Sequence, residues 1–408
     1  MMGFQFKMER INLFILRGMS LISKFVLLFV LAGKGNEQLV FTYGLLFSLV
    51  TYVTYFLSFD LYTYTTREFI STPLKNKYTV LYQHIMSSLL ISLISLPLIG
   101  LLFYFNVLDS SLIIQFYIIV ILEFLCAEIY RLLVASKMPN RAVFYLFLRG
   151  GGWTLVYSLM AYFDEDYLSI SGLLSFWIAG MLGTLCIGFL YVYNCLKGVE
   201  GKKHFRIDVF YKGIFVAVPI LISTLSIRGV FTLDRVFISN SEDLSYASSY
   251  VFFSSVSSAI IALVDSGVLV KYMPLLIESC GDKYLRYRKR LLFQTFFLSV
   301  ILSFLIFVFV CFLMRFESYS QYKEFYDIFV IGLLSAVLFS ISQSYSVVLY
   351  VNKKDFQQLV CNMIVFLLGI LAGSVLDAGY IPFIVLLQCF TLLVTKISLV
   401  RRLPVKEF

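Results

Sequence analysis

Long apolar runs recur along the whole chain, each closed by a short polar or charged link. A bilayer core takes roughly 20 residues of helix to cross, so each run predicts a transmembrane helix. The twelve predicted segments are 11–33, 40–62, 79–105, 112–135, 143–163, 171–195, 213–233, 244–269, 291–314, 325–350, 356–377 and 379–399. The last two are separated by almost nothing, which predicts a tight hairpin. The first is longer than the apolar region of an ordinary signal peptide and is interrupted by Arg17 and Lys24, so it reads as a retained span.

The links carry most of the charge. With the N-terminus inside, the expected cytoplasmic segments hold 23 Lys and Arg, whereas the external ones hold 4, namely Lys34, Arg235, Arg315 and Lys323. Acidic residues gather outside, at Asp164, Glu165 and Asp166 and at Glu242 and Asp243. By the positive-inside rule both ends face the cytoplasm. The longest cytoplasmic links are 196–212, with Lys202 and Lys203, and 270–290. The first falls after span six and predicts two six-helix lobes, residues 1–203 and 204–408, a topology that permits a pseudo-two-fold axis along the membrane normal. The expected external loops are all short.

Composition agrees. Hydrophobic residues make up 60% and charged residues 14% of 408, with a mean hydropathy of +0.89; soluble domains average roughly 45–50% and about 25%. The net charge of +9 sits in short basic clusters between apolar runs, so nucleic acid is not an expected partner. No cysteine lies in an expected external loop, which implies no disulfide framework, and no Cys or His spacing suggests a metal. The expectation is an all-α integral membrane protein, with membrane lipids around it and no cofactor.

A charge inside a span costs ~2.5 kcal/mol or more on insertion scales, so each one points to a function or a partner. Lys24 lies near mid-span, too deep to reach the headgroups easily. Arg17 precedes it by seven residues, close to two helical turns, so both project from one face about 10 Å apart. Arg149 and Arg228 add two more cations, and the four together predict a cationic lining for an anionic substrate. Arg17, Arg149 and Arg228 lie near enough to span ends that reaching the headgroups is their alternative. Among the acids, Glu128 is three residues before Arg131 and can be neutralised by it. Asp60 and Asp265 sit near cytoplasmic ends, and Glu123 sits at mid-span. These last three are candidates for coupling to an ion gradient. For Glu123 the alternative is a static counter-ion to Lys24.

Gly150, Gly151 and Gly152, the glycines of span six and the Gly369–Gly373 step predict close helix packing. Pro97 and Pro219 each remove a backbone donor and predict bends, with Pro219 a candidate gate. No GxSxG, P-loop, HExxH or kinase-like set is present. With no ATP-binding domain either, transport would be passive or driven by an ion gradient.

The stretch from Arg17-Gly18-Met19-Ser20 through Ala32-Gly33, with Ser58-Phe59-Asp60 and Thr66-Arg67-Glu68, resembles the opening of bacterial O-antigen and polysaccharide-unit flippases. These belong to the multidrug/oligosaccharidyl-lipid/polysaccharide exporter superfamily. Leu233-Asp234-Arg235-Val236-Phe237-Ile238 leading to Tyr246–Tyr250, and Tyr272-Met273-Pro274-Leu275-Leu276 with Gly281-Asp282, resemble two of the family's links. The likeness implies a translocase that carries an oligosaccharide on undecaprenyl pyrophosphate from the cytoplasmic to the outer leaflet. It also implies two six-helix lobes around a central cavity, alternating access, and a polysaccharide polymerase and chain-length regulator as partners. Cationic cavity residues in such flippases face the pyrophosphate or acidic sugars. Lys24 and Arg17 match that role by position, Arg228 next, and Arg149 less clearly.

Two other classes compete. A drug antiporter or lipid II flippase of the same superfamily fits the span count. An O-antigen polymerase or ligase is also polytopic, but those enzymes resemble one another in a large external loop with catalytic Arg or His, and no expected external loop here is long enough.

Overall fold

The computed structural model describes residues 2–72, 77–136, 138–196, 205–239 and 241–402, without the side chains of 2–15, 66, 67, 70, 71, 195 and 196. Lys202 and Lys203 of the long basic link, and the expected lobe boundary at 203, lie outside the described residues. The elements are α1 (Met2–Lys34), α2 (Glu37–Ser58), α3 (Tyr62–Ser71), α4 (Lys77–Ile99), α5 (Leu101–Tyr104), α6 (Ile113–Ala135), α7 (Pro139–Phe147), α8 (Trp153–Phe163) and α9 (Ile170–Leu196). They continue as α10 (Ile207–Gly229), α11 (Leu233–Ile238), α12 (Leu244–Val264), α13 (Val270–Ile277), α14 (Gly281–Leu313), α15 (Tyr326–Val351), α16 (Asp355–Val375) and α17 (Ile381–Arg401). No strand occurs among the described residues.

Eleven helices among the described residues are long and apolar enough to cross a membrane. The twelfth expected segment, 143–163, is helical but interrupted: α7 and α8 are joined by a π-helical turn, Leu148–Gly152. Neither piece is long enough alone. The expected tight hairpin is α16 and α17, joined through a 3-10 turn at Ala378–Tyr380. Large apolar side chains are exposed along the spans, most densely on α14, where Phe293, Phe296, Phe297 and Phe304 face outward. Water would penalise that surface and lipid does not. The chain is a multi-pass membrane protein.

Several links expected to be loops are helical, because short polar helices lack the apolar run that marks a span. Segment 63–78 holds α3, and 270–290 holds α13 and the first turns of α14. Arg235, counted from the sequence as an external loop charge, belongs to α11 and is only 8% exposed. Its guanidinium donates to the Gly44 carbonyl at 2.9 Å, and its backbone N–H donates to Asp234, whose other oxygen accepts from Tyr250 at 2.6 Å. Those bonds are what permit its burial.

The chain divides into two compact units, residues 1–35 with 46–221, and 36–45 with 222–408. In the first, α1 packs on α7, α8 and the π-helical turn, and α6 packs on α9. Gln83 of α4 also exchanges two hydrogen bonds with the Arg206 backbone, at 2.8 and 2.7 Å. In the second, α15 is the central helix, packed on α12, α14 and α17. The buried serines of α15, including Ser340, Ser342 and Ser344, return their hydroxyls to carbonyls of their own helix, as a bilayer interior requires. Gly369 and Gly373 of α16 pack as their spacing predicts: a Cβ at either would collide with Gln388 or Phe237.

Candidate functional site: a cationic cavity in the first unit

The first unit contains a cavity of about 560 Å³ walled by α1, α2, the start of α3, α6, α9 and the α7–α8 segment. Ser20 and Lys24 lie one helical turn apart on α1 and face the π-helical turn. Two glycines there let the backbones close. A Cβ on Gly151 would sit 3.1 Å from the Ser20 Cα, and one on Gly150 would sit 3.2 Å from the Lys24 Cε. A π-helical turn inserts one extra residue and rotates the side chains beyond it to a new direction. Here it carries Arg149 to the carboxylate of α6.

The Arg149 Nε donates to Glu123 Oε2 at 2.6 Å, and the Trp177 indole donates to Glu123 Oε1 at 3.3 Å. Trp153 donates to the Arg149 carbonyl at 3.2 Å and stacks on Trp177 with ring centres 5.2 Å apart. Gly180 makes room for that stack, since a Cβ there would lie 2.2 Å from the Trp153 Cβ. The Lys24 Nζ lies 5.0 Å from the centre of the Phe47 ring, within cation–π range. Lys24 takes part in none of the ion pairs among the described residues. Glu123 therefore forms its ion pair with Arg149 in place of the static pair with Lys24 considered from the sequence, because Arg149, within the π-helical turn, reaches it at 2.6 Å.

The wall carries Lys24, Arg131 and Arg149 against the single carboxylate Glu123. Arg131 is bonded to Glu128, the pair anticipated from their spacing, and also lies 3.9 Å from the centre of the Tyr62 ring. With both arginines paired, the excess positive charge of the wall is that of Lys24, beside broad aromatic faces. Such a wall attracts an anion and offers flat apolar surface to rings or chains attached to it.

The other expected site residues lie elsewhere. Arg17 is half-buried on α1 and is not on the cavity wall. Asp60 is 1% exposed, at the break between α2 and α3, where Phe59 and Asp60 both adopt left-handed backbone conformations with φ of 52° and 49°. Pro219 lies inside α10. Arg228, in the last turn of α10, and Asp265, exposed at the start of a second π-helical turn (Asp265–Leu269), belong to the second unit. Sequence reasoning passed over Trp153, Trp177, Tyr62 and Phe47. The two tryptophans are the only ones in the chain, and that scarcity was the one available signal.

No family model matches the chain, and no curated protein matches it. Solved structures do. A MOP superfamily transporter from Pyrococcus furiosus aligns with a TM-score of 0.55 and 14% identity, over 96% of this chain and 93% of that one. A MATE protein solved in complex with MaL6 aligns with a TM-score of 0.42 and 14% identity, over 98% and 85%. The first likeness extends over nearly the whole of both chains, so this chain has the fold of a MOP superfamily transporter.

Proposed function

We propose that this chain is a flippase for an oligosaccharide linked to undecaprenyl pyrophosphate, moving it from the cytoplasmic to the outer leaflet of a bacterial inner membrane by alternating access. The observation that supports this most is the cavity wall, where Lys24, Arg131 and Arg149 face a single carboxylate beside Trp153, Trp177, Phe47 and Tyr62. A volume of about 560 Å³ lies in the range of small-molecule sites, ~300–1,000 Å³. An ammonium in a low-dielectric cavity attracts a pyrophosphate far more strongly than it would in water. Arg149 and Glu123 already satisfy each other, so the anion-binding role falls first on Lys24. A cationic drug would be repelled by the same wall.

In cells that depend on this chain for surface polysaccharide, Lys24→Ala should leave the protein abundant in the membrane and abolish surface polymer, and Lys24→Arg should retain part of it. Normal polymer from Lys24→Ala cells would remove the cation from the mechanism.

A further inference from the structure

One cluster of the first unit shares Arg131 with the cavity wall but otherwise lies outside it. Thr65 on α3, His84 on α4, and Glu128 and Arg131 on α6 form a continuous chain of hydrogen bonds. Thr65 Oγ1 lies 2.9 Å from His84 Nδ1, and His84 Nε2 lies 2.7 Å from Glu128 Oε2. Arg131 Nη1 donates to Glu128 Oε1 at 2.5 Å. The same four side chains border a small void of about 30 Å³, and Arg131 and Tyr62 border both that void and the large cavity.

We infer that His84 is a proton-binding site whose charge reaches the cavity through Glu128 and Arg131, so that anion binding in the cavity tightens as pH falls. The second half of this statement rests on the anion-binding function proposed above; the first half does not.

The bonding around the imidazole suits both of its charge states. Glu128 as a carboxylate only accepts, so Nε2 carries a proton in either state. In the neutral ring, Nδ1 accepts from the Thr65 hydroxyl. In the protonated ring, Nδ1–H donates to Thr65 Oγ1, and the hydroxyl proton turns to the Leu61 carbonyl, 3.2 Å away. Neither state leaves a buried donor without an acceptor, so neither incurs the cost of an unmade bond. Histidine is the side chain whose charge ordinarily changes between about pH 5 and 8.

Protonation of His84 adds positive charge beside the cavity. With His84 neutral, Glu128 and Arg131 cancel; with His84 protonated, the triad carries one net positive charge beside the cavity. The titratable groups around the imidazole are Tyr62 on α3 and Glu128 and Arg131 on α6. The remaining residues around the void are apolar: Phe69, Val80, Leu81, Leu132 and Ala135. Lys77, two turns earlier on α4, lies over the Phe69 ring, and Glu68 is exposed on α3. Among the described residues no second carboxylate borders the void to absorb the added charge. A proton that favours the anion is in turn favoured by it, by the same factor.

The test uses methanedisulfonate, an anion whose own charge is fixed across the range, titrated into the purified full chain at about pH 5.5 and about pH 8. The fluorescence of Trp153 and Trp177, both on the cavity wall, reports binding. The wild type should bind about fivefold or more tightly at the lower pH. His84→Gln keeps an N–H for Glu128 and should bind equally weakly at both. Thr65→Val keeps the histidine but removes the acceptor of its second proton, and should displace the pH transition downward. A His84→Gln protein with the wild-type pH dependence would overturn the inference. If the anion does not bind at any pH, or Lys24→Ala does not weaken it, the anion-binding function fails. The pH dependence of the tryptophan emission without anion then decides the His84 site. A transition present in the wild type and lost in His84→Gln upholds it, and a transition absent from the wild type or retained in His84→Gln overturns it.

Discussion

At the residue scale the decisive contrast is between Lys24 and Arg149. Both are cations within apolar runs, which is why both stand out in the sequence: a buried charge costs too much to be kept idly. Their states differ. Arg149 spends its charge on Glu123, while Lys24 has no carboxylate within ion-pair distance among the described residues and lines the cavity. That difference was not legible, because it depends on where a π-helical turn aims one side chain. The Glu123–Arg149 bond predicts a stability effect. Glu123→Gln leaves a largely enclosed guanidinium without its counter-charge and should destabilise the protein by about 3 kcal/mol. Replacing both residues, as in Glu123→Leu with Arg149→Met, should recover most of the loss. Thermal unfolding of the detergent-solubilised protein measures both, and a Glu123→Gln variant as stable as the wild type would mean that the pair contributes nothing.

At the element scale the spans were largely readable, since hydropathy and length are the quantities the bilayer selects. The helices that hydropathy cannot see are the short ones: α3 with its polar sequence, α11 with buried Asp234 and Arg235, and α13 in the basic link. The glycine triplet was legible as a packing signal, but its use in a π-helical turn was not, because hydrogen-bond register leaves no compositional trace. The close approach of that turn to α1 gives the prediction at this scale. A Val at position 151 would bring its Cβ to 2.9 Å from the Phe147 ring and 3.1 Å from the Ser20 Cα, and relief of the backbone contact separates the turn from α1. Gly151→Val should therefore displace Lys24 and lose transport more completely than Gly183→Val, whose Cβ would meet nothing within 4 Å. Surface-polysaccharide assays on variants matched for abundance compare the two. Equal activity would show that the close contact does not position Lys24.

At the scale of the whole molecule, the all-helical polytopic class and its likeness to superfamily transporters were reachable from apolar runs and a few diffuse motifs. The cavity was not, since it assembles α1, α2, α6, α8 and α9 from positions as far apart as Ser20 and Trp177. The chain shares its fold with a MOP superfamily transporter over nearly all of its length, and the cavity wall within its first unit carries excess positive charge. The most direct measurement of what that wall binds is the emission of Trp153 and Trp177 in purified protein titrated with undecaprenyl pyrophosphate and, separately, with undecaprenol and with a lipophilic aromatic cation. Saturable change with the pyrophosphate, weakened tenfold or more in Lys24→Ala (about 1.4 kcal/mol) and absent with undecaprenol, is the predicted result. Saturable binding of the cation, with the pyrophosphate no better than undecaprenol, would contradict it.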